Sequence, residues 1–340
     1  MMDATLRNII YFCPTVNGPV GGVKVILRHS ECIHNLAYAE VDSAVLYPAD
    51  IDFVYLYHKH SAIVRKDMNF NKNEDLIIIP EIYAFLFGRE LRLMGYRYGI
   101  FVQGGYLLFE NAEHESLDEL KRIYNQATVI ISISDDTTIL IQRAFSVESS
   151  KIFKIQYSID EEIFYPADNE KENIISFMPR RLPAHSDYLL KLLHFHGLGD
   201  WELVSIKNMN EDQVAKVLRR SKIFLSFSSL EGLPLPPLEA AICGNHVIGY
   251  TGEGGKEYFN GELFTEVASG DINNFFCAVI NSMKKYNKIK NGVLSSDAAK
   301  LLAGKLNERF SKRSELHHVK NFIEFAKLQF EMYDSRRQTD

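Results

Sequence analysis

Two glutamates, Glu231 and Glu239, carry the strongest chemical signal in the sequence. They lie in SFSSLEGLPLPPLEAAICG (residues 226–244), at the end of an apolar run that favours a strand. Three prolines between them exclude one continuous helix, and Pro236 or Pro237 is expected to begin a helix because proline is accepted in the first turn. Glu231 is therefore predicted in the loop after the strand and Glu239 in or near the first helical turn.

The start of this predicted helix also suits an anionic ligand. The first backbone N–H groups of a helix lack partners within the helix, and the helix dipole places positive charge there. A second interpretation stays open, in which Glu231 caps the turn and Glu239 only interacts favourably with the dipole. The combination of two carboxylates with these prolines favours a functional site.

Two arginines, Arg180 and Arg181, also follow a predicted strand, in FMPRRLPAHSDYLL (residues 177–190). A guanidinium group offers a fork of donors that matches phosphate oxygens better than a single ammonium group does. The alternative is a pair of solvated surface arginines. We treat them as candidate ligands of a phosphate.

Three further segments place glycines or a polar residue after a predicted strand. Glycines in such loops allow the backbone to approach a ligand closely. One of them, TGEGGKEYF (residues 251–259), has a glutamate where a dinucleotide-binding fingerprint needs a small residue, so a dehydrogenase fits the sequence poorly. The segments are TVNGPVGGVK (residues 15–24, with Gly18, Gly21 and Gly22), FVQGGY (residues 101–106, with Gln103) and TGEGGKEYF (residues 251–259, with Gly254 and Gly255).

Short apolar runs alternate with helical patterns along the whole chain. Runs such as LIII and TVIISI are apolar almost throughout, which is typical of parallel strands covered on both faces. The alternation predicts βαβ units, and a polar, acidic segment at 157–173 separates two halves. Strands are predicted at 8–13, 43–47, 76–79, 99–103, 128–134 and 151–155 in the first half and at 174–177, 202–206, 223–228 and 246–250 in the second.

The composition excludes several classes of protein. The chain has 340 residues, which exceeds the usual size of one hydrophobic core, so two domains are expected. No apolar run approaches the length of about 20 residues that a membrane span needs. A net charge of −6 disfavours a nucleic-acid-binding protein, and the four cysteines form no C-x-x-C pair of the kind that zinc sites use. Cysteine usage and the lack of a signal-peptide pattern favour the cytoplasm.

The segment SLEGLPLPPLEAAICGNHVIGY resembles the E-x7-E signature of retaining glycosyltransferases with the GT-B fold, the glycosyl transferases group 1 family. The resemblance extends over most of the chain, because the first glycine loop and the arginine segment also match. TGEGGKEYF is similar to the same region of members that build bacterial cell-surface polysaccharides, including rhamnan-type and O-antigen transferases.

The resemblance implies an α/β fold with two Rossmann-like domains, whose mostly parallel sheets face each other across a cleft. Residues 1–160 would form an acceptor-facing domain and residues 173–311 a nucleotide-sugar-binding domain, joined by a linker at 161–172. The helix within residues 312–340 would cross back to the first domain.

The resemblance also implies roles for the residues around the two glutamates. Glu239 is expected to accept hydrogen bonds from the ribose hydroxyls of the nucleotide, and Glu231 is expected near the donor sugar. Gly232 and Leu233 would present backbone amides to the sugar or the phosphate. Pro234 departs from the family pattern, which usually has a glycine there.

The remaining implied contacts involve the arginines and the glycine loops. Arg180 or Arg181 would neutralise the donor diphosphate, and His185 or Ser186 stands near the place of a lysine that the family usually has. Gln103 stands near the place of a histidine that contacts the donor sugar in many relatives, and it is a candidate contact to the sugar or the acceptor. The glycines expected to line the donor site are Gly21, Gly22, Gly254 and Gly255.

The implied reaction is transfer of a sugar from a nucleotide-diphosphate sugar to an acceptor hydroxyl with retention of configuration, without a cofactor or a metal. The acceptor would be a glycan or a lipid-linked glycan. The segments MKKYNKIK (residues 283–290) and LHHVKNFIEFAKLQFEMY (residues 316–333) either contact the inner membrane or are solvated helix faces. Two alternatives stay open. One is a nucleotide-sugar epimerase or phosphorylase with the same fold, and the other is a non-catalytic protein that binds sugar nucleotides.

Overall fold

The computed structural model of the protein describes residues 4–14, 21–47, 60–288 and 296–333. The chain divides into two compact units. The first comprises Met1–Tyr157 together with Glu315–Asp340, and the second comprises Ser158–Ser314. Each unit contains a single parallel sheet within the described residues.

The first unit contains a seven-stranded sheet with the order β3-β2-β1-β4-β5-β6-β7, in which all described pairs are parallel. Helices connect most consecutive strands, as parallel pairing requires. The strands are β1 (Asn8–Phe12), β2 (Asp42–Leu46), β3 (Val64–Arg65), β4 (Asp75–Pro80), β5 (Tyr98–Val102), β6 (Val129–Ser132) and β7 (Ile152–Lys154), and the helices are α1 (Gly21–Leu36), α2 (Ala84–Met94), α3 (Leu117–Gln126) and α4 (Asp135–Phe145).

The second unit contains a five-stranded parallel sheet with the order β12-β11-β10-β8-β9. The strands are β8 (Glu172–Phe177), β9 (Glu202–Ser205), β10 (Ser221–Glu231), β11 (His246–Glu253) and β12 (Phe264–Glu266). The helices are α5 (Pro183–His196), α6 (Glu211–Arg220), α7 (Leu235–Ile242), α8 (Ile272–Lys288), α9 (Ser296–Arg309) and α10 (Lys312–Glu331), of which α10 belongs to the first unit from Glu315 onward.

The central strands are buried on both faces, which explains their apolar sequences. Every residue of β4 (DLIIIP) and β5 (YGIFV) is buried, and so is every residue of β6. This burial is what the continuous apolar runs predicted, and the prediction of two parallel-sheet α/β domains is confirmed. The sequence missed β3 and β12, because edge strands of two and three residues are too short to show a pattern.

Each sheet has one position where its strand order reverses. In the first sheet the chain runs from β1 to one side and from β4 to the other, and in the second sheet β8 and β10 occupy the equivalent positions. Ligands of parallel α/β sheets bind at the carboxyl ends of the strands that flank such a switch point. The topology therefore marks one candidate edge in each unit.

Helix α10 is attached to the first unit by buried polar and aromatic contacts. The Glu315 carboxylate lies 2.7 Å from Nε of Arg28 on α1 and is almost completely buried. The Arg97 guanidinium stacks over the ring of Phe330, 4.6 Å from its centre. Within the described ranges, no helix combines the length and the apolar content that crossing a membrane requires.

Two buried histidines make the stability of the protein sensitive to acid. In the second unit, the ring nitrogens of His246 lie 2.8 Å from the Ser282 hydroxyl and 2.9 Å from the Thr265 hydroxyl, and burial lowers its pKa to about 4. In the first unit, His29 stacks on Phe101, and burial together with the charge of Arg28 lowers its pKa to about 3.

Because these pKa values are depressed in the folded state, the unfolded chain binds more protons than the folded chain does once the pH falls below about 6.5. Acid therefore favours the unfolded chain. Through His246 alone, lowering the pH from 7.5 to 5 should decrease the free energy of unfolding by about 2 kcal/mol. Urea denaturation at both pH values checks this. A His246→Gln variant should lose less stability between the two pH values than wild type, whereas the exposed control His194→Gln should behave as wild type. Equal acid sensitivity of His246→Gln and wild type would contradict the assignment.

Candidate functional site

Glu231 is the last residue of β10, so its predicted position in the following loop is wrong. The strand pairs regularly with β11 as far as Ser228, after which the register shifts and Glu231 pairs with Glu253. Leu230 adopts a positive φ of 46° at this irregularity, a conformation that few residues other than glycine adopt. β10 continues to Glu231 because β11 also runs past its predicted end and still offers a hydrogen-bonding partner.

Helix α7 begins at Leu235 rather than at Pro236 or Pro237. Pro234 occupies the N-cap position in an extended conformation, and the next two prolines fall in the first turn, where a missing N–H costs no helical hydrogen bond. The helix therefore starts earlier than predicted, and Glu239 falls in its second turn. The side chains of both glutamates are partly buried, with 17% of the Glu231 side chain exposed.

Two glycine loops that are far apart in the sequence meet backbone to backbone beside Glu231. A β-carbon on Gly254 would lie 1.8 Å from the carbonyl oxygen of Gly232, so no other residue fits at position 254. A β-carbon on Gly255 would lie 3.1 Å from the Pro234 ring. The structure thus brings the segment after β10 and the segment after β11 into direct contact, as two parts of one site.

Tyr258 supports this contact, although nothing in the sequence had identified it as a residue of the candidate site. It is completely buried, and its hydroxyl donates a hydrogen bond to the carbonyl oxygen of Pro234. Burial raises its pKa well above the usual value, and the negative charges of Glu231, Glu239 and the neighbouring Glu257 act in the same direction. A buried tyrosine hydroxyl needs a partner, and here that partner is a backbone carbonyl, which no pattern of residue types in the sequence marks.

The two candidate arginines lie in the turn between β8 and α5, next to the end of β10 in the sheet. Both are exposed, and a nitrogen of the Arg181 guanidinium lies 3.4 Å from a carboxylate oxygen of Glu231. The ring of His185, in the first turn of α5, lies 3.2 Å from the hydroxyl of Tyr250 on β11. The cationic turn and the glutamate therefore flank the switch point of the second sheet.

The candidate residues of the first unit form a group of their own. Helix α1 begins at Gly21, and the side-chain amide of Gln103 donates a hydrogen bond of 3.2 Å to the carbonyl oxygen of Gly22. A β-carbon on Gly22 would lie 3.1 Å from the amide oxygen of Gln103, so glycine leaves room for that side chain. The Tyr157 hydroxyl lies 3.5 Å from the same oxygen. Gly18 lies outside the described residues.

The aspartates after β6 have local structural partners. In the sequence SDD (residues 134–136), which follows β6 directly after Ile133, Ser134 caps α4 by accepting a hydrogen bond from the backbone N–H of Thr137. Asp135 pairs with Lys154, and Asp136 accepts a hydrogen bond from Tyr106. Among the residues that the structure describes, no group of three or more His, Cys, Asp or Glu side chains is placed to hold a metal ion.

Comparison with known sequences identifies a family segment in the second unit. Residues 183–292 match the model of the family described as "Glycosyl transferases group 1". The chain is also similar to an alpha-1,6-glucosyltransferase of Actinobacillus pleuropneumoniae serotype 7 (strain AP76). The two are 27% identical over 320 residues, which cover 86% of this chain and 90% of the relative.

Solved structures show the same type of fold. HepE of Anabaena, in a complex with UDP-glucose, matches with a TM-score of 0.66 and 11% identity, over 93% of this chain and 99% of that protein. TarM matches with a TM-score of 0.52 and 16% identity over 74% of this chain, which covers 54% of TarM, about half its length. The family segment and the curated relative thus make this chain similar to the glycosyl transferases group 1 family, and the solved structures show the same fold, GT-B with two parallel-sheet units.

Proposed function

We propose that this protein transfers a sugar from a nucleotide-diphosphate sugar, bound by the second unit, to a hydroxyl group of a glycan or lipid-linked glycan acceptor. One observation carries the proposal: Glu231, Arg181 and the touching glycine loops gather at the switch point of the second sheet, beside the start of α7. These groups match the parts of a nucleotide sugar: a carboxylate can bind the ribose hydroxyls, guanidinium groups can bind the diphosphate, and backbone amides can bind the sugar and the neighbouring phosphate.

The proposed donor contacts follow from these positions. Glu239, in the second turn of α7, would accept hydrogen bonds from both ribose hydroxyls, since an ionised carboxylate has two acceptor oxygens. Arg180 and Arg181 would bind the diphosphate. The backbone groups of Gly232, Leu233, Gly254 and Gly255 would line the sugar and the neighbouring phosphate.

The proposed chemistry is stabilisation of charge as the bond between sugar and diphosphate breaks. Negative charge grows on the leaving diphosphate, where the two arginines and the backbone N–H groups of Gly232 and Leu233 would stabilise it. The start of α7 offers fewer donors than the sequence suggested, because Pro234, Pro236 and Pro237 have no N–H. Positive charge grows on the sugar, near the Glu231 carboxylate. We propose transfer with retention of configuration by attack from the same face as the leaving group, without a metal ion or a cofactor.

The identity of the donor and the biological setting extend the same proposal. The similar structure of HepE contains UDP-glucose, and the similar curated protein is named as an alpha-1,6-glucosyltransferase, so UDP-glucose is the first donor to test. We propose that the product belongs to a bacterial surface polysaccharide or glycolipid, made on the cytoplasmic side of the inner membrane. The resemblance of TGEGGKEYF to surface-polysaccharide transferases supports this setting.

The proposal is tested by incubating the purified protein with UDP-glucose and a panel of glycan acceptors in the presence of EDTA. We expect acceptor-dependent release of UDP and an α-linked product, assigned by NMR from the anomeric coupling. Loss of activity with EDTA and recovery with Mg²⁺ or Mn²⁺ would contradict metal independence. Turnover without an acceptor would indicate an epimerase, and turnover that requires inorganic phosphate would indicate a phosphorylase. Tight binding of UDP-glucose without turnover on any acceptor would favour the non-catalytic alternative.

The two glutamates should have different kinetic effects. Glu239→Gln should weaken donor binding by roughly 1.5–3 kcal/mol, because it removes a charge-assisted hydrogen bond that forms in the ground state and the transition state alike. Glu231→Gln should lower kcat more than it raises the donor KM, because its charge acts on the developing positive charge. Steady-state kinetics measure both, with the exposed Glu262→Gln as a control. If both variants melt far below wild type but keep normal kinetics, the glutamates are structural.

The contact between the two glycine loops can be tested separately. Gly254→Ala should push the loops apart, which we expect to lower the unfolding free energy by roughly 1–3 kcal/mol and to weaken donor binding. Gly304→Ala is the matched control, because a β-carbon at this position would meet no atom within 4 Å. Gly304 also lies in helix α9, where alanine is favoured over glycine. Thermal melting and calorimetric titration with UDP measure both effects. A Gly254→Ala variant with wild-type melting and wild-type UDP affinity would contradict the role of this contact.

A further inference from the structure

Glu81 is a buried carboxyl group in the first unit that none of the roles above uses. It directly follows β4, one of the two strands at the switch point of the first sheet, and it begins the short helical turn Glu81–Tyr83. Only 4% of the residue is exposed. Burying a carboxyl group is costly unless hydrogen bonds compensate it, so its partners indicate what it does.

The partners of Glu81 are backbone groups of the loop that follows β5. Its carboxyl group accepts hydrogen bonds from the backbone N–H groups of Gln103 and Gly104, and from its own N–H. A β-carbon on Gly104 would lie 3.4 Å from a carboxyl oxygen of Glu81, so the loop lies directly against it. Glu81 thus holds the backbone of the residue whose side chain contacts the start of α1.

The position of that loop decides where the Gln103 amide points. The amide nitrogen of Gln103 donates to the Gly22 carbonyl, and the amide oxygen lies near the Tyr157 hydroxyl. Together these contacts place an amide group at the switch point, beside the first turn of α1. A shift of the loop would move the amide away from Gly22.

The strength of this support depends on the charge of Glu81. Burial raises the pKa of its carboxyl group to about 7, although the three backbone N–H groups act in the opposite direction. Among the described residues, the titratable groups that interact with its charge are Tyr124 on α3 and Tyr157 after β7, and both are neutral at this pH. An ionised carboxylate accepts hydrogen bonds about twice as strongly as a neutral group. The loop is therefore held more firmly above neutral pH than below it.

We propose that Glu81 is a positioning residue, which fixes the loop after β5 and thereby holds the Gln103 amide in place for the acceptor sugar. This inference rests on the proposed function, in which the second unit binds the donor, and it adds that the first unit binds the acceptor sugar. Glu81 itself lies behind the loop and makes no contact with the substrate in this assignment. Because burying a carboxyl group is costly, the contact with this loop is part of what offsets that cost, which ties the position of the loop to Glu81.

The test compares wild type with Glu81→Gln, Glu81→Ala and the exposed control Glu90→Gln on α2. At pH 8, Glu81→Gln should lower kcat/KM for the acceptor roughly five- to tenfold, while the affinity for UDP, measured by calorimetry, stays unchanged. At pH 6 the difference from wild type should largely disappear, because wild-type Glu81 is then mostly protonated. The wild-type profile of kcat/KM should therefore rise through about pH 7, and the Glu81→Gln profile should lack that rise.

Amide hydrogen exchange of Gln103 and Gly104 gives a readout that does not depend on catalysis. In Glu81→Gln and Glu81→Ala these two amides should exchange at least tenfold faster than in wild type at pH 8, while the amides of β5 keep their protection. Wild-type exchange at both positions, or an acceptor profile in Glu81→Gln that follows wild type at every pH, would overturn the proposal. If wild type transfers no sugar at all, the proposed function fails, and the exchange data alone then decide whether Glu81 holds the loop.

Discussion

The carbonyl oxygen of Gly232 occupies the space that a β-carbon on Gly254 would need, and the geometry of the candidate donor site depends on this close contact. It joins the segment after β10 to the segment after β11, and Tyr258 secures the pair by donating a hydrogen bond to Pro234. Because Pro234 is also the N-cap residue of α7, the same contacts set the start of the helix that carries Glu239. A local requirement for glycine therefore aligns both glutamates.

The same topological rule places the candidate residues of both units. In each sheet the strand order reverses once, and polar groups gather at the carboxyl ends of the strands on either side of the reversal. The second sheet places Glu231 and the arginine turn there, and the first sheet places Glu81 and the start of α1 there. In both units a buried or partly buried carboxyl group lies at that edge of the sheet, where Glu231 is close to Arg181 and Glu81 is close to the loop after β5.

Much of the fold could be predicted from the sequence, because strands buried on both faces have continuous apolar sequences and their helices alternate with them. The candidate loops could also be predicted, since the candidate glutamate, arginines and glycines directly follow apolar runs that are typical of strands. The two positions that were predicted wrongly, the end of β10 and the start of α7, depend on contacts with segments that are distant in the sequence. Glu231 lies in a strand only because β11 extends far enough to pair with it, and α7 starts early because Pro234 is held as its N-cap.

Tyr258 and Glu81 could not be found in the sequence for a related reason. The partner of Tyr258 is a backbone carbonyl 24 residues away, and the partners of Glu81 are backbone N–H groups on the neighbouring strand's loop. Backbone groups occur at every residue, so no pattern of residue types marks them. Only the strand order, which puts β4 beside β5 and β10 beside β11, brings these pairs together.

We propose that the switch point of the second sheet binds a nucleoside diphosphate, and the other assignments of the second unit depend on this binding. The most direct measurement is calorimetric titration of UDP and of uridine into wild type, the double variant Arg180→Ala/Arg181→Ala, and a control in which the exposed Lys207 and Lys216 are replaced by alanine. We expect the arginine variant to lose most of its affinity for UDP but to keep its affinity for uridine, and the lysine control to bind both ligands as wild type does. An equal loss for UDP and uridine, or no loss for either, would show that these arginines do not bind the diphosphate.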